Sequence, residues 1–168
     1  ALTWVTDWFL MLPQIPLAMA VIAVLRPGPA TLVLVIVVTS WAPIARVIRT
    51  AVLAAQAEPY LDRVRALGAD NWYIARVHLL PDILPVVAVN AALALANAVL
   101  AEAAFSYLGL GGTGAVSWGS MLRQASLTGA FSAGAWWCIL PPGLAVIIVV
   151  LAAGTGANAI SSGRTQQY

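Results

Sequence analysis

The 168 residues carry eight basic and six acidic side chains for a net charge of +2; 62% are hydrophobic, only 8% are charged, and the mean hydropathy is +0.93. Too little polar surface is present to cover a water-soluble globule of this size, so a membrane is the natural solvent. Every basic residue is arginine, which excludes a phosphate loop built on lysine, and the modest charge does not indicate nucleic acid.

The chain opens on Ala1 with no charged region ahead of its first apolar run, and so reads as a fragment or processed chain. About 20 mostly apolar residues are needed to cross the hydrocarbon core as a helix. Four stretches qualify, at about 8–25, 30–48, 83–101 and 135–153. The first contains Pro13 and Pro16, which predicts a kinked helix. Arg26, Pro27, Gly28 and Pro29 then predict a tight turn, and the second stretch carries Pro43 near its polar end.

The 49–82 interval is the one long polar break. Arg46, Arg49, Arg63, Arg65 and Arg76 fall in or just before it, with Glu58, Asp62, Asp70 and Asp82. The two opposite connections hold Arg26 and Arg123, and Arg164 in the tail returns to the first side. Six cations against two place the 49–82 loop and both termini in the cytoplasm. Within the loop, 60–67 predicts a short helix ended by Gly68 in a left-handed conformation. Asp70 or Asn71 then caps a second helix over 72–80, and Pro81 and Pro85 mark entry to the next span. Leu61, Val64, Leu67, Ile74 and Val77 form the apolar side of this hairpin, leaving Arg63, Arg65 and Arg76 for a partner or for lipid headgroups; charge pattern does not separate those two.

The third span is alanine-rich, which suits a helix packed closely inside a bundle. Asn90 and Asn97 share one of its faces and Glu102 follows near the outer end. Such groups either bond across helices or line a solute path. Gly109, Gly111 and Gly114 match a dinucleotide-binding spacing, but no strand precedes them, so they read as turn formers in an outer loop over 109–134. His78 has no second histidine or paired cysteine for a metal site and reads as a capping or headgroup-contacting residue. Cys138 has no disulfide partner. Trp4, Trp8, Trp41, Trp118, Trp136 and Trp137 read as interfacial anchors.

Several blocks carry a family resemblance. Asp62, Arg63 and Val64, then Gly68, then Leu80 and Pro81 follow the spacing of the cytoplasmic Glu-Ala-Ala signature of ABC importer permeases. Trp41, Ala45, Arg46 and Arg49 precede the loop. Ala101, Glu102 and Ala103 lead into Ser106, Tyr107, Leu108, Gly109, Leu110 and Gly111, and Ser117, Trp118, Gly119, Ser120, Met121 and Leu122 follow. Over 7–151 the chain resembles the inner-membrane permease subunit of a binding-protein-dependent ABC importer, dipeptide/oligopeptide/nickel subfamily. It departs in having Arg63 where the family has a small residue and a Gly/Ala/Ser-rich tail over 153–162, and subfamily members carry one or two further membrane helices before the position of Trp4.

The resemblance implies a single all-α, polytopic transmembrane domain of the type I importer permease fold, in the inner membrane of a bacterium, with a cytoplasmic coupling hairpin. It assigns Tyr60, Asp62, Arg63, Arg65, Ala66, Leu67, Gly68 and Ala69 to an ATPase contact, and puts 102–122 near an extracytoplasmic substrate-binding protein. It further implies a homologous second permease and two ATPase subunits or one fused ATPase. ATP and Mg would be bound by those ATPases, with no catalytic residue, cofactor or metal in this chain. Peptide is the expected solute; nickel, opine and glutathione carriers share the motifs, and a truncated permease acting only as a scaffold is the rival reading.

Overall fold

The computed structural model describes residues 2–112 and 114–162; Arg164, counted above among the cytoplasmic cations, lies outside them. All regular structure among the described residues is helical: α1 (Leu2–Met11), α2 (Gln14–Leu25), α3 (Pro29–Gln56), α4 (Pro59–Ala66), α5 (Asn71–Tyr107), α6 (Trp118–Leu127) and α7 (Leu140–Ser162). Three helices are long and apolar enough to cross a membrane, or four if the bent pair α1–α2 counts as one span.

The expected first span is therefore not a kinked helix. It is two helices meeting at 86°, with Pro13 in the break and Pro16 in the first turn of α2. Pro13 has no N–H to continue the ladder, and its own residue is extended, so the chain turns instead of bending. The second span also runs further than expected, to Gln56, taking Arg49 onto the helix and out of the loop. Pro43 is accommodated inside it.

The second leg of the hairpin is not a separate helix. It is continuous with the third span as α5, through a π-helical stretch at Ile74–Leu79. There the Leu80 N–H bonds to the carbonyl of Ala75 rather than Arg76. Pro81 follows directly; a wider turn relieves the clash of its ring with the preceding carbonyls, so the proline stays in the helix instead of ending it. The last span begins at Leu140 after a short 3-10 turn (Trp136–Cys138) and stays helical to Ser162, past its expected end at about 153 and through the Gly/Ala/Ser-rich tail.

α5 is the central element. It packs most extensively along α7, and also against α3 and α6. One buried cluster joins α2, α3 and the outer part of α5: Ala18, Ile22, Leu32, Val35 and Phe105. The α5–α6 crossing is very close, because Gly119 has no side chain: a Cβ there would lie 2.1 Å from the Ala103 carbonyl oxygen. Yet the most apolar windows of α5 and α7 are only 6% and 11% buried inside the chain. Their remaining apolar surface is far more than water tolerates and is suited to lipid or to another helical subunit.

Candidate functional site

Two places gather polar groups on this apolar frame, the hairpin at 57–82 and a cleft between α1, α2, α3 and α5.

In the hairpin, α4 starts with Pro59 in its first turn, carries Asp62 near its N-terminus and Arg63 and Arg65 in its last turn, all matched to the helix dipole. Its end is a Schellman turn. The Gly68 N–H donates to the Arg65 carbonyl at 2.9 Å and the Ala69 N–H to the Val64 carbonyl at 3.3 Å, with Gly68 at φ +89. Of the two expected caps for the next helix it is Asp70 that acts, its carboxylate accepting from the Trp72 N–H at 3.4 Å.

The underside of the hairpin is a small core of its own, with Leu61, Ile74 and Leu79 buried against Ala55, Val64 and Ala69. A second tie lies beside it. The Tyr60 hydroxyl donates to Asp82 at 3.4 Å, and its ring stands edge-on to His78, which also meets Tyr73. His78 thus packs edge-on against two tyrosine rings, a contact its position in the sequence does not announce. Desolvation, then the Asp82 carboxylate and its hydrogen bond, then Glu58, raise the Tyr60 phenol above its ordinary value, keeping it protonated as a donor at neutral pH.

Against this fixed base the other face projects outward. Asp62, Arg63, Arg65, Ala66, Leu67 and Gly68 are all exposed, Leu67 at 88%. Tyr60 borders them, and Ala69 is half-buried at the turn. Arg65 is held by Asp62 at 2.9 Å, whereas Arg63 has no ion-pair partner among the described residues. Trp72, 71% exposed, adds an aromatic group beyond the turn.

The second place is a cleft of about 610 Å³ whose lining includes Gln14, Thr39, Ser40, Asn90 and Asn97. The two asparagines do share its α5 wall. Asn90 bonds to the Val86 carbonyl of its own helix at 2.8 Å, while Gln14 makes the cross-helix bond, to the Thr39 hydroxyl at 3.0 Å. Glu102 is not brought to the cleft. It accepts from Ser106 at 2.6 Å on another side of α5. Five residues beyond Asn97 is about 140° around a helix, whereas seven residues is nearly two whole turns. Gln14, Thr39 and Ser40 were missed in the sequence although they carry the signal used for the asparagines, a polar side chain within an apolar span.

At the far end of α5 from the hairpin, the glycine loop turns at Gly109, Gly112 and Gly114, each with φ near +87 (+88, +86 and +88). Gly111, expected to be one of the turn formers, has ordinary φ and is needed instead for its approach to the Ser106 hydroxyl. The Trp41 ring meets Phe9 edge-on at 5.0 Å, whereas Trp4, Trp8, Trp118, Trp136 and Trp137 are exposed.

This frame, a strand-free set of long apolar helices with one polar hairpin docked at their foot, defines a multi-pass membrane protein of the permease class. The chain belongs to the family of binding-protein-dependent transport system inner membrane components, whose pattern matches residues 1–162. It is 32% identical over 158 residues to a dipeptide transport system permease protein of Alkalihalophilus pseudofirmus, covering 94% of this chain and 50% of that protein. It is 34% identical over 147 residues to a di/tripeptide transport system permease protein of Pseudomonas aeruginosa, covering 87% and 48% respectively. The chain spans about half the length of the curated relatives it matches.

Proposed function

We propose that the chain is a non-catalytic permease subunit of an ATP-driven importer of short peptides, and that it converts closure of partner ATPases into alternating access. The observation that carries this is the docked hairpin. A lever must be rigid at its base and bare at its tip, and here Leu61, Ile74 and Leu79 fix the base while Arg63, Leu67 and their neighbours remain uncovered. The excess of arginine at this end supports a cytoplasmic hairpin. ATP and Mg belong to the ATPases, and the family's description as binding-protein-dependent supports an extracytoplasmic delivery protein. The exposed apolar flanks of α5 and α7 suit a homologous second permease as well as lipid.

The polar cleft is the best candidate for part of the solute path, with Asn90 and Asn97 facing Gln14, Thr39 and Ser40. Peptide is preferred as solute because both relatives above carry peptide names. Reconstitution tests the reading: the complete complex, supplied with binding protein and dipeptide, should show solute-stimulated ATP hydrolysis and uptake. An assembled complex that binds the ATPases without stimulation would leave only a scaffold.

A further inference from the structure

A rigid lever would run into its span as unbroken α-helix, yet the hairpin joins the third span through the six π-helical residues Ile74–Leu79. We propose that this stretch is a register switch: it is π-helical while the hairpin core is closed and reverts to α-helix when that core opens, turning the hairpin about the α5 axis. Helix geometry sets the size of the movement. A π turn holds one more residue than the α turn it replaces. Returning that residue to the α ladder rotates everything on its N-terminal side by about 100° and lengthens the helix by about 1.5 Å. The exposed face around Arg63 and Leu67 swings with it.

Three observations support the switch. The first is the register of the core itself. Ile74 and Leu79 are 2% and 8% exposed and pack with Leu61 in one cluster. Residues five apart lie about 140° apart around an α-helix and so face different ways. Bonding to the fifth residue instead, as the Leu80 N–H does to the Ala75 carbonyl, stacks them on one side. The closed core and the π turn therefore require one another.

The second is how weakly the stretch is held elsewhere. Pro81 and Pro85 have no N–H to give, so two rungs of the backbone ladder are missing just beyond it. On the side away from the core, Arg76, Val77 and Leu80 are exposed. The ties across it are the edge-on contacts of His78 with Tyr60 and Tyr73 and the 3.4 Å hydrogen bond from Tyr60 to Asp82. None of these is close packing.

The third is room to move. A cavity of about 730 Å³ separates the end of α3 from the foot of α5, with Ala51, Ala54, Glu58, Asp82 and Ile83 in its lining. The foot of α5 can shift into it without meeting the neighbouring helix.

That the switch serves transport rests on the importer reading above; that it exists does not, and the experiment reads the two separately. Hydrogen exchange is followed in the full complex in lipid nanodiscs, alongside ATP hydrolysis and peptide uptake. In the wild type, the Ile74–Leu80 amides and those of Leu61 and Val64 should exchange at a common rate, because one opening frees both. Deleting Val77 removes the extra residue and leaves Ile74 and Leu79 four apart, on one face of an α-helix. The core should then stay closed, with Leu61 and Val64 at least as protected as in the wild type. Uptake per ATP hydrolysed should fall about tenfold, because the register is locked. Pro81→Ala removes the ring that opposes α-helix here, so exchange at Leu61 and Val64 should quicken about tenfold as the open state becomes easier to reach. Independent rates in the wild type, or unchanged or slower exchange in Pro81→Ala, overturn the proposal. So does an assembled deletion variant that couples as well as the wild type, or one whose core is open, since the π turn would then not be what aligns Ile74 with Leu79. If the deletion prevents assembly, the wild-type rates and Pro81→Ala decide. A wild-type complex without solute-stimulated hydrolysis removes the importer reading and leaves the exchange rates to decide the switch.

Discussion

The Arg46 guanidinium donates to the Asp7 carboxylate, joining α1 to α3 beyond the 86° break at Pro13. The side chains are 57% and 46% exposed, so in aqueous surroundings the pair contributes only about 0–1 kcal/mol. The Phe9–Trp41 contact and the Gln14–Thr39 bond hold the same junction. Asp7→Asn should therefore lower the melting temperature of the purified complex only slightly. Arg46→Asp, which sets two carboxylates side by side, should lower it more, and the swap Asp7→Arg/Arg46→Asp should recover most of the loss. Fluorescence-detected size exclusion after heating reads all three; equal damage from the swap and the single reversal would show that the pair is not what joins the helices.

Gly68 makes a different kind of demand. Nothing lies within 4 Å of where its Cβ would be, so a substitution meets no clash; the cost comes from φ +89 alone, about 1–2 kcal/mol for an ordinary L residue and more for a β-branched one. Gly68→Val should leave the complex assembled but reduce ATP-coupled peptide uptake, because the tip between α4 and α5 is forced to relax. Gly68→Asn, which tolerates the left-handed region, should keep most uptake. Wild-type transport by the valine variant would remove the turn from the mechanism.

Those two junctions also show what a sequence can and cannot convey. The Gly68–Asp70 turn was legible because a left-handed glycine and a side-chain cap are local devices, each needing only the residues that form it. The ends of the spans were not. Pro43, Pro81 and Pro85 all mark helix boundaries by local rules, yet all lie inside helices, one of them through a π turn. Pro13 announces a distortion but not an angle of 86°. The shared face of Asn90 and Asn97 follows from helical spacing, while the side chains opposite them, on α2 and α3, depend on how three helices pack.

Tyr60 allows the base of the hairpin to be tested in two increments. Its hydrogen bond to Asp82 is long, at 3.4 Å, whereas its ring also contacts His78 at 5.7 Å between centroids. Tyr60→Phe, keeping the ring, should cost less than about 1 kcal/mol, and Tyr60→Ala, losing both, should cost more. The raised phenol adds a pH signature. A group whose folded-state pKa lies above its unfolded value stabilises below the unfolded value and loses that contribution as pH rises through the folded one, here starting near 10.0. Docking of the hairpin should thus be indifferent to pH around neutrality and weaken in alkali, an effect absent from Tyr60→Phe. Hydrogen exchange of the Leu61 and Val64 amides follows it directly.

The α5–α6 crossing should be the least forgiving place in the chain. At Gly119 the nearest atoms to an added Cβ are all backbone of Ala103: its oxygen at 2.1 Å, with its carbonyl carbon and Cα at 2.8 Å. No rotamer change relieves such contacts, so the two helices must separate, and the cost of overpacking is about 1–3 kcal/mol. Gly119→Ala should lower thermal stability and increase hydrogen exchange across Trp118–Leu127 while leaving the hairpin amides protected. Ala103→Gly does not help, since the clashing atoms are backbone; that pairing of a failed rescue with a destabilised α6 is what separates backbone contact from side-chain packing. A Gly119→Ala protein as stable as the wild type would mean that α6 sits farther from α5 than these distances allow.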